Sequence, residues 1–107
     1  MKIIASVLIY SGMKDPEMEI SNDIAKEICN KLYNAYEKSD VELPSHLGFR
    51  GYMVVWHPEN DYIPATIVVV HNGIIGIYSF SSKSYFKDTV GLENYLKNLL
   101  KPINPMS

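Results

Sequence analysis

The sequence predicts an α/β chain of the α+β kind, a two-layer sandwich with a mixed sheet of about four strands and two helices on one face. Three observations carry this. Runs of β-branched residues stand at 3–9 and 65–71, two other stretches change to a period of three to four residues, and Asn72-Gly73 joins two apolar runs. Asn-Gly is the dipeptide favoured in two-residue hairpin turns, because both of its residues tolerate positive φ. The predicted order is β-α-β-β-β-α. At 107 residues, 47% hydrophobic and 21% charged, the chain is expected to form a single domain over 1–107, with a short tail from 102.

Lys2 is followed by eight residues, Ile3 to Tyr10, that are apolar in both parities and give way to Ser11-Gly12. A membrane span needs about 20 apolar residues, so the run reads as a central strand rather than a leader or a span. The acidic stretch Asp15-Pro16-Glu17-Met18-Glu19 reads as a solvated loop entering a helix. That helix is expected over Ser21 to Lys38, where Ile24, Ile28, Leu32 and Ala35/Tyr36 make an apolar stripe opposite Lys26, Glu27, Asn30, Lys31 and Asn34. Ser21 or Asn22 suits its N-cap, Asp23 its first turn, and Glu27 with Lys31 an i,i+4 pair. Cys29 lies beside the stripe and reads as a small buried hydrophobe.

Residues 39–50, with Pro44 and Gly48, form a long connection back to the sheet. Gly51 to His57 is a strand stopped by Pro58, and PENDYIP is a polar loop closed by Pro64. The hairpin ATIVVVH-NG-IIGIYSFS then fixes its own register, because a two-residue turn makes paired residue numbers sum to 145. One hairpin face carries Val70/Ile75, Val68/Ile77 and Thr66/Ser79 and suits the helices. The other carries His71/Ile74, Val69/Gly76, Ile67/Tyr78 and Ala65/Phe80. Ser81 to Tyr85 reads as a loop. The last helix is expected over about Thr89 to Lys101, capped by Asp88 or Thr89, with Leu92, Leu96 and Leu99/Leu100 inward, Glu93 paired with Lys97, and Pro102 ending it.

Ten basic against twelve acidic side chains leave no field that argues for nucleic acid or an anionic membrane. The single cysteine excludes an intramolecular disulfide and a cysteine-based zinc site, and makes a reducing, cytoplasmic compartment the simpler expectation. No nucleophile elbow, His-x-x-x-His pair, P-loop, dinucleotide fingerprint or Cys-x-x-Cys is present, so neither a cofactor nor a metal is expected. Arg50, the only arginine, sits between Gly48-Phe49 and Gly51-Tyr52, where a guanidinium fork and close backbone approach suit an anion. His57, Glu59 and Asp61 alternate along the following loop as possible metal or catalytic partners, although Pro58 and Pro64 mark that loop as a turn.

Four segments carry a resemblance: Tyr10-Ser11-Gly12 with Asp15-Pro16, Leu43-Pro44, Leu47-Gly48-Phe49-Arg50-Gly51-Tyr52, and Asp88-Thr89 with Gly91-Leu92-Glu93. They resemble a group of small proteins sharing a Ser-Gly-x-x-Asp-Pro loop and a Leu-Gly-Tyr/Phe-Arg-Gly-Phe/Tyr motif, a group that brings no established activity. The chain departs from it at Met13, where the group has arginine, and at Met18, where it has tryptophan. The resemblance implies that Gly12, Pro16, Gly48, Arg50 and Gly51 converge at one end of the sheet.

The functional expectation follows from the layers. Two helices shelter one face of the sheet, while the other is apolar through Ile67, Val69, Tyr78 and Phe80 and calls for a cover: the chain's own loops (residues 11–20, 39–50 or the tail), a second copy, or a different protein. Eight tyrosines among 107 residues add a leaning toward recognition. The expected role is a non-catalytic binding or accessory protein that works by protein–protein contact, as a homo-oligomer or a subunit. Its expected contact residues are Gly12, Arg50, Tyr52, Ile67, Tyr78 and Phe80. The alternative is an enzyme or small-ligand binder with Arg50 as anion anchor near His57, Glu59 and Asp61.

Overall fold

In the computed structural model, residues 1–9, 14–44 and 50–105 are described. The elements are β1 (Lys2–Leu8), β2 (Glu17–Glu19), α1 (Asn22–Asn34), β3 (Gly51–His57), β4 (Thr66–His71), β5 (Ile74–Ser79), β6 (Ser82–Lys87) and α2 (Leu92–Leu99), followed by a 3-10 turn at Lys101–Ile103. The α+β class with two helices holds. The sheet, however, has six strands in the order β2-β1-β3-β4-β5-β6, and every pair is antiparallel, which corrects the expected mixed sheet of about four.

Both added strands are edges, and both are polar for that reason. Sheet edges need charge or brevity to avoid pairing with other chains. β2 consists of Glu17, Met18 and Glu19 paired to Ser6, Ala5 and Ile4, so the expected acidic loop is a short acidic edge. β6, expected as a loop, has Lys83 and Lys87 exposed and pairs with β5 through a second tight turn at Phe80-Ser81, where the Ser79 and Ser82 hydroxyls lie 2.6 Å apart. No glycine or asparagine marks that turn.

The Asn72-Gly73 hairpin has the expected register, Ile67 with Tyr78 through His71 with Ile74, and both turn residues have positive φ, 49° and 77°. A type I′ turn needs this pair of left-handed residues to match the twist of the strands.

Helix α1 begins as expected, with the Ser21 hydroxyl accepting from the Ile24 N–H at 3.3 Å, but it ends at Asn34 rather than Lys38. The next residues leave to pair with β6. The Lys87 N–H donates to the Glu37 carbonyl at 2.8 Å, the Ser39 N–H donates to the Tyr85 carbonyl at 3.0 Å, and Lys38 bridges Phe86. Tyr36, expected on the apolar stripe, is consequently exposed, and Cys29 is exposed rather than buried. Helix α2 starts at Leu92 and not Thr89 because Gly91 is left-handed, with φ 71°. Asp88 still caps it from a distance: Leu92 and Glu93 both donate backbone N–H groups to its carboxylate at 2.8 Å. Each expected intrahelical ion pair gives way to a tertiary contact. Lys31 donates to the Val90 carbonyl and lies over the Tyr95 ring, and Glu93 accepts from the Asn72 and Gly73 amides at the hairpin tip.

The core lies between the helices and one sheet face. It joins Ile3, Ala5 and Val7 of β1, Val54 of β3, Val68 and Val70 of β4 and Ile75 of β5 to Ala25 and Ile28 of α1 and to Leu92, Leu96 and Leu100. Ile28, Ile75, Leu92, Leu96 and Leu100 are completely buried, each stabilising the fold by about 1.5–3 kcal/mol. Ile103 of the tail packs against this same core, on the helix side. No helix among the described residues is long and apolar enough to cross a membrane.

Candidate interaction surface

Side chains alternate across a strand, so the residues between those of the core define the outer face. Register lines them up in rows. One row runs Glu19, Ile4, Val55, Ile67, Tyr78, Lys83, and the next runs Glu17, Ser6, Met53, Val69, Gly76, Tyr85. The centre is apolar and the charges stand at the two margins. Ser6 at 3% exposed, Val55 and Val69 at 8% each, and Gly76 are buried although they stand outside the main core, while Ile4, Met53, Ile67 and Tyr78 are half-buried.

One stretch of the chain's own connection reaches this face. After pairing with β6, the segment 39–44 crosses β5 as a strap with Leu43 buried, and a Cβ added to Gly76 would stand 2.8 Å from Leu43 Cδ1 and 2.9 Å from the Tyr78 hydroxyl. Gly76 leaves the room that Leu43 occupies. Tyr78 stacks edge-on against Tyr85, with ring centroids 5.9 Å apart. Its phenol is pushed well above the usual tyrosine range, first by burial, then by its hydrogen bond with Tyr85 and the nearby Glu42 charge. Of the three loop covers expected, 39–50 is thus in place in part. Residues 17–19 extend the sheet instead of covering it.

The expected contact residues divide. Ile67 and Tyr78 share the outer row. Tyr52 does not: it pairs with Val7 and Val70 and points to the helix side against the core, its phenol raised by burial and by Glu93. Phe80 is not on the face either but at the tip of the β5–β6 turn, 84% exposed. Tyr62 and Ile63, which sequence reading passed over, are exposed in the β3–β4 loop at that same end of the sheet. Gly12 and Gly48 lie outside the described residues. Pro16 and Gly51 flank the end of β1 from its two sides: the Val7 N–H donates to the Pro16 carbonyl at 3.0 Å on the β2 side, and Leu8 pairs with Gly51 on the β3 side.

Arg50 is exposed just before β3 and lines a depression of about 260 Å³ with Leu8, Tyr52, His71, Glu93 and Asn104. His57 closes the far end of β3, and at about 3.4 Å per residue the strand holds it some 20 Å away. Glu59 lies beyond His57, where its carboxylate accepts from the Met1 ammonium at 2.9 Å and is held below the usual range by that contact. Arg50 and the His57/Glu59/Asp61 group therefore do not form one site. Among the described residues no three His, Cys, Asp or Glu side chains are grouped to hold a metal. Comparison with protein-family models, curated proteins and solved structures finds no match.

Proposed function

We propose that the chain is a small non-catalytic binding or accessory protein that works by protein–protein contact through the outer face of its sheet. The observation that carries this reading is the row Ile4, Val55, Ile67 and Tyr78, apolar across four strands on the side away from both helices. Burying such a row against another protein removes apolar area from water at about 25 cal/mol per Å², and the half-wet tyrosines Tyr78 and Tyr85 suit a contact with one polar rim. A reducing, cytoplasmic setting fits the exposed lone thiol of Cys29.

The test is Ile67→Lys, which places a charge in the centre of the row. The reading expects the unaltered chain to associate in light scattering, and the variant to stay folded by circular dichroism but lose that association. A variant that associates unchanged contradicts it.

One observation favours a second reading, the depression that joins Arg50 to Tyr52 and His71. In that reading Arg50 anchors a carboxylate or phosphate, with the fork geometry lysine lacks. Arg50→Lys is then expected to abolish melting shifts produced by phosphate and carboxylate panels, and unchanged shifts contradict it.

A further inference from the structure

We infer that the strap 39–44 is an internal ligand of the outer face, and that Leu43 occupies a slot over Gly76 that takes one leucine-like side chain from an extended segment of a partner protein. The inference rests on the contact-face reading above and adds to it the anchor point and the kind of side chain that fills it. Gly76 lies within β5, paired with Val69 on one side and Tyr85 on the other. A glycine inside a strand forgoes packing and marks a place where another group comes close. Here that group is Leu43, since a Cβ on Gly76 would stand 2.8 Å from Leu43 Cδ1 and 3.0 Å from Tyr78 Cε2. Val69, 8% exposed, adjoins the floor, and Tyr78, set edge-on to Tyr85 at 82°, forms an aromatic wall. Floor and wall make a socket for one branched aliphatic group, and the chain's own leucine shows what fits.

The strap is tied to the face as a ligand is, by a side chain and not by a ladder. Its last backbone bond to the sheet runs from the Ser39 N–H to the Tyr85 carbonyl. Beyond that, the Ser39 hydroxyl accepts from the Val41 N–H at 3.0 Å and donates to the Val41 carbonyl at 2.9 Å, so both bonds stay inside the strap. Among the described residues, 40–44 make no hydrogen bond to another element. Asp40, Val41 and Glu42 are exposed, and Leu43 is buried. Pro44 has no N–H to give and holds Leu43 in extended backbone, so the strap reaches the face as a stretched chain with one anchor. A tethered anchor exchanges with a free one of the same shape. The tether supplies an effective concentration in the millimolar range, which a partner overcomes by adding contacts at Ile4 and Ile67, both half-buried.

The experiment is an amide NMR titration of the full chain, of Leu43→Ser, which empties the slot, and of Leu43→Ala, a milder release, each confirmed folded by circular dichroism. The probe is a peptide with the sequence of residues 39–44, beside a copy with serine in place of its leucine. The peptide is expected to bind both variants with a Kd of about 1 mM and to shift the Gly76 and Tyr85 amides. It is expected to bind the unaltered chain about tenfold more weakly, because the tethered strap competes, and the serine copy is expected to bind none of them. Adding Gly76→Ala to Leu43→Ser is expected to weaken the peptide about fivefold, because its methyl stands in the slot. Equal binding to the variants and the unaltered chain, binding by the serine copy, or no binding to either variant overturns the slot alone and leaves the contact-face reading to its own test. Association untouched in Ile67→Lys overturns that reading and this inference with it.

Discussion

Val68 and Ile67 are neighbours in β4, yet they belong to two different structures. Val68 is 1% exposed beneath the helices, in a core closed by Ile28, Leu92, Leu96 and Leu100, whereas Ile67 is half-buried in a row whose ends are a glutamate and a lysine. On the first side the chain supplies both layers. On the second it supplies a sheet and a strap anchored by one leucine. The difference teaches that a β-branched run apolar in both parities states only that two faces want burial, and says nothing of what buries them. For the helix side the answer lies in the two amphipathic stretches of the same chain; for the outer side the chain supplies the 39–44 strap over Gly76, and a contact with another protein is the proposed cover for the rest.

The comparison breaks first, and by the largest margin, at the helix side. Leu96→Ala removes a completely buried side chain from the centre of the core and is expected to cost about 3 kcal/mol in urea unfolding, against less than about 1.5 kcal/mol for Ile67→Ala. Equal costs would mean that the two faces are buried alike.

A smaller effect sharpens the role of the strap. Gly76→Ala drives a methyl toward Leu43 Cδ1 and the Tyr78 ring, both of them ends of flexible side chains that can give way. The expected cost is about 1 kcal/mol, accompanied by faster proteolysis within 39–44 as the strap lifts. Unchanged proteolysis would show that Leu43 does not hold it.

The smallest effect is a pH dependence. Burial and the Tyr85 hydrogen bond raise the Tyr78 phenol in the folded chain, so folding favours its neutral form. The stability linked to it is fully present below the unfolded tyrosine value of about 10 and is lost as pH rises through the folded value. Tyr78→Phe is expected to flatten the fall in stability above about pH 10 without removing it, because Tyr52 is raised by burial as well. An unchanged alkaline slope would contradict the strap's cover of Tyr78.

Much of the helix side was legible in the sequence because its signals are local. Asn72-Gly73 sets a register, Ser21 a helix start, and the period of Ile28, Leu92 and Leu96 a buried stripe. What escaped depends on neighbours distant in the chain. β2 and β6 look like loops because edge strands are polar by necessity, and α1 stops early because Glu37 and Ser39 find β6. The early end of α1 exposes Tyr36. The outer row was half legible: parity placed Ile67 and Tyr78 together, but Ile4, Val55, Glu19 and Lys83 join them only through sheet order. Arg50 and His57 look close in sequence and are not, because an extended strand separates its ends more than any other element of the same length.

The most direct measurement sets the two neighbours of β4 against each other, Val68→Lys beside Ile67→Lys, each followed by urea unfolding and by sedimentation. The account predicts that Val68→Lys loses at least about 3 kcal/mol or fails to fold, since it buries an unpaired charge, while Ile67→Lys unfolds within about 1 kcal/mol of the unaltered chain and does not associate. Comparable destabilisation by both, with association untouched in Ile67→Lys, would contradict it.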